Sequence, residues 1–120
     1  MARTEPCVLV VEDNADLRES LAAILDDAGY TVLTAADGRD ALALAAEHPP
    51  ALVLLDLQMP VMDGQEALVG LRQLPERIPV VFMSAGLRAR DAAARHDVEG
   101  YLEKPFELDE LLRLVAHVCG

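Results

Sequence analysis

Short, wholly apolar runs alternate along this chain with longer segments whose apolar residues recur at helical spacing. Cys7 to Val11 is the first run, and it stops at Glu12-Asp13-Asn14, which predicts a strand buried on both faces followed by a polar loop. Asn14 stands where a helix N-cap belongs. Leu17, Leu21, Ile24, Leu25 and Ala28 then mark one stripe, closed by Gly29, which accepts positive φ. The same order repeats with a strand over Thr31 to Thr34 and a helix capped by Asp37, running to Glu47 and halted by His48-Pro49-Pro50. Ala51 to Leu55 is the third strand. A loop from Asp56 to Asp63 leads into a helix from about Gly64 to Leu74, then a strand from Ile78 to Met83 and a helix over about Leu87 to His96. A short strand, Gly100 to Leu102, precedes a last helix that begins near Glu107 and carries Leu108, Leu111, Leu112, Val115 and Cys119 on one face.

Five strands alternating with five helices predict an α/β, flavodoxin-like, doubly wound fold with right-handed crossovers and helices on both faces of a parallel sheet. The runs at 7–11, 51–55 and 78–83 are the most apolar and belong in the middle, and the segments at 31–34 and 100–102 suit the edges, giving strand order 2-1-3-4-5. The fourth helix offers mainly Ala89, Ala92, Ala93 and Ala94 to the core, so it is expected to be short and weakly anchored. The expected organisation is one domain over 1–120, with its core at about 7–119 and no output domain.

Composition sharpens this picture. The chain is 52% hydrophobic but 3% aromatic, so Val, Leu, Ile and Ala must build the core, with Met59, Met62 and Met83 as packing residues. His48, before two prolines, is poorly placed to be a helical phosphocarrier, and His96 and His117 read as solvated residues at helix ends. A net charge of −11 argues against direct binding to nucleic acid or an anionic membrane. Cys7 and Cys119 lack ligand spacing, the first apolar run is too short for a signal peptide, and nothing approaches the ~18 apolar residues of a membrane span, so reduced thiols and a cytoplasmic location are expected. The ten basic residues are nine Arg and a single Lys, Lys104.

In an open parallel sheet the functional crevice lies beyond the carboxyl ends of the strands. Those ends supply Glu12, Asp13, Asp56, Ser84 and Lys104. Three carboxylates at one crevice need a compensating cation, and an all-oxygen site favours Mg²⁺ or Mn²⁺ with a phosphoryl group as guest. Asp56 would then be the nucleophile, Asp13 and Glu12 would hold the metal, Lys104 would pair with a phosphoryl oxygen, and Ser84 would donate its hydroxyl. Singly, each residue has a plainer reading: a turn residue for Asp56, a solvated lysine for Lys104, a helix cap for Ser84. An aspartate-nucleophile phosphatase would share this layout, but it needs a second acid near the nucleophile, and the position two after Asp56 is Gln58.

The segments Val8-Leu9-Val10-Val11-Glu12-Asp13-Asn14, Leu54-Leu55-Asp56-Leu57-Gln58-Met59-Pro60, Met62-Asp63-Gly64, Met83-Ser84-Ala85 and Gly100-Tyr101-Leu102-Glu103-Lys104-Pro105-Phe106 together resemble the receiver domains of bacterial two-component response regulators. That resemblance implies a single-domain, chemotaxis-type phosphorelay receiver whose Asp56 accepts phosphate from a histidine kinase or histidine phosphotransfer protein. It implies that the backbone carbonyl of Gln58 joins Asp13 and Asp56 around Mg²⁺, and that the Lys104-Pro105 bond is cis. Ser84 and Tyr101 look like the family's switch pair, although Tyr101 reads equally as a half-buried strand aromatic. The protein would act as a monomer or a phosphorylation-linked dimer and would catalyse only its own phosphorylation and dephosphorylation. A pseudo-receiver, with the fold but no phosphorylation, is the binding-module alternative.

Overall fold

The computed structural model describes residues 6–59 and 62–119, so Pro60 and the first five residues of the reading above lie outside it. Five strands, β1 (Cys7–Val11), β2 (Thr31–Ala35), β3 (Leu52–Asp56), β4 (Val80–Ala85) and β5 (Gly100–Lys104), form one parallel sheet in the order β2-β1-β3-β4-β5. Between and after them run α1 (Ala15–Asp27), α2 (Gly38–Glu47), α3 (Gly64–Leu71), α4 (Arg88–Arg95) and α5 (Leu108–Cys119). The expected topology is the observed one.

Side-chain alternation along the strands divides the core into two layers. Leu9, Val11, Val53, Leu55, Val80 and Phe82 face one way and pack with α2, α3 and α4. Val8, Val10, Leu52, Leu54, Val81 and Met83 face the other way, toward α1 and α5. Phe82 is the largest fully buried side chain, and Met59, Met62 and Met83 all pack in the core as expected.

Helix caps follow the sequence closely. Asn14 Oδ1 accepts from the Leu17 amide at 2.9 Å and Asp37 Oδ1 from the Asp40 amide at 2.9 Å. Gly29, with φ at 98°, ends α1 in the left-handed conformation. Asp63 and Glu66 form a reciprocal capping box at the start of α3, which the loop assignment for Asp63 overlooked.

Several boundaries differ from expectation, β2 among them, which runs on to Ala35. β3, β4 and β5 extend through Asp56, Ala85 and Lys104, because a parallel ladder is made by backbone groups and tolerates polar side chains at its end. β4 starts at Val80 because Pro79 has no amide to give. α3 ends at Leu71, where Gln73 and Leu74 tighten into bonds to the carbonyls of Gly70 and Leu71. His96 is half-buried, not solvated: its ring meets Phe82 edge-on at 6.0 Å and its Nε2 lies 3.0 Å from Gln65 Oε1. α4 is short, as expected, and its buried residues are Ala89 and Ala92.

Candidate phosphoacceptor site

The carboxyl ends of β1, β3, β4 and β5 meet at one edge of the sheet. β1 is followed by Glu12 and Asp13, whose carbonyls are held by the Arg18 guanidinium at 2.8 and 3.4 Å. Arg18 was not singled out in the sequence; its signal was an arginine in the first turn after an acidic loop. Asp56 closes β3, and its position is fixed from below by α3, since a Cβ on Gly64 would lie 2.6 Å from the Asp56 carbonyl oxygen and 2.8 Å from the Leu57 Cα. Ser84 lies next to last in β4, and Lys104 ends β5 ahead of a cis bond to Pro105.

Within this frame, oxygens of Glu12, Asp13 and Asp56 lie within 4.8 Å of one another, a spacing that can hold a metal ion. Glu12 and Asp56 are 1% and 3% exposed, while Asp13 faces solvent. The Lys104 ammonium sits 2.6 Å from Glu12 Oε1 and 3.5 Å from Asp56 Oδ2. The Asn14 amide donates to Glu12 Oε2 at 3.1 Å, so both oxygens of Glu12 already have donors. The Gln58 amide donates to Asp56 Oδ1 at 3.2 Å.

Burial pushes the Asp56 carboxyl up from 3.8 to about 6; the Gln58 amide and Lys104 pull it down, and the nearby Glu12 carboxylate pushes it up further. One ammonium does not balance three carboxylates, so the crevice is poised to take a further cation. The Ser84 hydroxyl is fully buried and, among the described residues, has no hydrogen-bond partner. An orphan donor at this place is the feature an incoming oxygen-rich group would satisfy.

The sequence profile of the response regulator receiver domain matches residues 8–116. The chain belongs to this receiver family. The transcriptional regulatory protein PrrA of Mycobacterium tuberculosis is 40% identical over 114 residues, covering 93% of this chain and 49% of PrrA. The chain therefore spans about half the length of that relative. Among solved structures, the receiver domain of the sensor histidine kinase PA1611 from Pseudomonas aeruginosa, which has a magnesium ion coordinated in its active-site cleft, matches with a TM-score of 0.88 at 30% identity over 98% of this chain and 99% of that one. The chemotaxis protein CheY4 of Vibrio cholerae matches with a TM-score of 0.84 at 32% identity over 96% of this chain and 99% of that one.

Receiver domains of two-component systems are regulatory modules that partner with histidine kinases. Among the described residues of this receiver, no helix is long and apolar enough to cross a membrane. The structure brings Glu12, Asp13, Asp56 and Lys104 into one cluster, with Ser84 on the adjoining strand end. Gln58 is exposed beside it. Tyr101 stands apart, 39% exposed on β5 and paired in register with Phe82.

Proposed function

We propose that this receiver accepts a phosphoryl group on Asp56 from a phosphohistidine of a kinase or phosphotransfer protein and uses the resulting change to alter a protein-binding face. The observation that carries the proposal is the Lys104 ammonium shared between Glu12 Oε1 and Asp56 Oδ2 beside an open acidic cluster. Asp56 Oδ1 is engaged by the Gln58 amide, so Oδ2 is the attacking oxygen. It forms a bond to phosphorus as the P–N bond of the donor breaks, and the imidazole nitrogen keeps the electron pair.

Lys104 then turns from the carboxylates to an oxygen of the new phosphoryl group, and the Ser84 hydroxyl gains the partner it lacks. Asp13, Asp56 and the Gln58 carbonyl would hold Mg²⁺, which when bound would supply positive charge to the phosphoryl oxygens. Glu12, whose two oxygens accept from Lys104 and the Asn14 amide, would complete the acidic set around the cation. Tyr101, on the same sheet face as Phe82, reports the movement of Ser84 by turning inward under α4.

Intact-protein mass spectrometry after incubation with phosphoramidate and Mg²⁺ tests this. One hydroxylamine-sensitive phosphoryl adduct on the wild type, absent from Asp56→Asn, is the expected result. No adduct on the wild type would overturn the proposal and leave a pseudo-receiver.

A further inference from the structure

Arg18 is the only basic residue of α1, and it stands fourth in that helix, at the end where the helix dipole disfavours a cation. Among the described residues it makes no ion pair. Its guanidinium turns back over the β1–α1 loop instead, with Nη1 at 2.8 Å from the Glu12 carbonyl and 3.4 Å from the Asp13 carbonyl. α1 is fixed to the core through the buried Leu21 and Leu25, so the arginine springs from a rigid support. Its contacts hold the loop from which two carboxylates of the acidic cluster arise. The Glu12 amide donates to the Ala35 carbonyl at 3.1 Å while the Glu12 carbonyl accepts from Arg18, so both backbone groups of Glu12 are engaged. The next peptide unit, Asp13-Asn14, is trans, and its carbonyl and amide point opposite ways. The carbonyl faces Arg18 and the amide donates to Glu12 Oε2 at 3.1 Å. Turning that carbonyl away from Arg18 would turn the amide away from Glu12.

We infer that Arg18 is a positioning residue that sets the affinity of the acidic cluster for a divalent cation by holding the backbone of Glu12 and Asp13. The inference rests on the reading that Glu12, Asp13 and Asp56 hold that cation. Asp13 faces solvent, so its backbone is what narrows the directions its carboxylate can take. A loop with free peptide planes would spread the ligand oxygens, and gathering them again on binding costs entropy. Charge alone predicts the opposite sign. Arg18 is a cation beside an acidic cluster, so removing it lowers the repulsion felt by an incoming divalent ion. Orientation and charge therefore oppose one another here, and the direction of the change in affinity tells which of them governs.

Mg²⁺ titrations of the whole chain, followed by amide shifts in two-dimensional NMR, test the inference on wild type, Arg18→Met and Arg18→Lys, with phosphoramidate labelling run across the same Mg²⁺ range. The expected result is an about tenfold weaker Mg²⁺ affinity in Arg18→Met. Arg18→Lys should lose about threefold, because charge and one donor remain without the planar guanidinium. In labelling, the Mg²⁺ concentration at half-maximal rate should rise by the same factors, while the rate at saturating Mg²⁺ recovers to within about threefold of wild type. Unchanged or tighter Mg²⁺ binding by folded Arg18→Met, whatever its urea midpoint, would overturn the inference and leave the Asp56 reading intact. Should Arg18→Met fail to fold, Arg18→Lys carries the test, and a wild-type affinity there overturns the inference. A wild type that binds Mg²⁺ but is not labelled would overturn the Asp56 reading alone, since the titration still measures what Arg18 does. A wild type that binds no Mg²⁺ would overturn the cation reading, and this inference with it.

Discussion

The ammonium of Lys104 lies closer to Glu12, at 2.6 Å, than to Asp56, the proposed phosphoacceptor, at 3.5 Å. Lys104 therefore balances the buried acidic pair before any phosphoryl group arrives. Removing it in Lys104→Met strands two carboxylates that are 1% and 3% exposed. We expect a loss of about 2 kcal/mol in metal-free urea unfolding at pH 8, below the ~3–5 kcal/mol of a fully enclosed pair because the lysine keeps some contact with solvent. Phosphoramidate labelling should fall about a hundredfold. Unchanged stability would mean that the carboxylates have another cation.

Asp56 makes the metal-free domain pH-sensitive. Its carboxyl is raised from 3.8 to about 6 chiefly by burial, so the folded state holds this proton more tightly than the unfolded state does. The cost of ionising it is absent below about pH 4, grows as pH rises, and is complete above about pH 6, at on the order of 3 kcal/mol. Asp56→Asn keeps an acceptor for the Gln58 amide and removes the charge. It should be more stable than wild type at pH 8, and the difference should shrink toward pH 4.5 in denaturant titrations without metal. Adding Mg²⁺ should narrow the gap at pH 8 by stabilising the wild type.

Ser84 separates function from stability. Its hydroxyl is buried without a partner, so Ser84→Ala should leave unfolding free energy unchanged or raise it by up to about 1 kcal/mol. Phosphoryl transfer to Asp56 should nevertheless slow, as stopped-time mass spectrometry would reveal. A clear loss of stability would show that the hydroxyl has a partner in solution.

Gly64 tests the support beneath the site. A methyl there meets backbone of Asp56 and Leu57 at 2.6 and 2.8 Å, and neither can yield as a flexible side chain would. Gly64→Ala should cost about 2 kcal/mol or more in thermal or urea unfolding and reduce labelling by shifting Asp56. Normal labelling with normal stability would mean that the start of α3 can move freely.

Much of this arrangement was legible in the sequence because the strong signals are local. Val8 to Val11 and Leu52 to Leu55 are buried on both faces and therefore uniformly apolar, and Asn14 and Asp37 cap with their own side chains. Glu12 and Asp56 stood out because each follows such a run, and Lys104 because it is the single lysine of the chain. The missed features depend on contacts across the fold. Asp56, Ser84 and Lys104 belong to ladders that only neighbouring strands define. His96 is drawn inward by Phe82 and Gln65, which lie far from it in the chain. Arg72 had no local signature either, yet it spans from α3 to the carbonyls of Ile78 and Asp97 at 2.7 and 2.8 Å.

The sheet's two-sided packing gives the molecule a direction. Ser84 follows Phe82 by two residues, so it belongs to the α2–α4 layer, whereas Val81 and Met83 serve α1 and α5. A pull on the Ser84 side chain is therefore taken up by a layer whose outermost helix is tethered through the methyl groups of Ala89 and Ala92. The opposite layer, tied by Leu21, Leu25, Leu111 and Val115, shares the strands' backbones with it but almost none of their side chains. On the proposed reading the sheet would act as a partition, the α2–α4 flank taking up a movement of Ser84 while the α1–α5 flank keeps its packing.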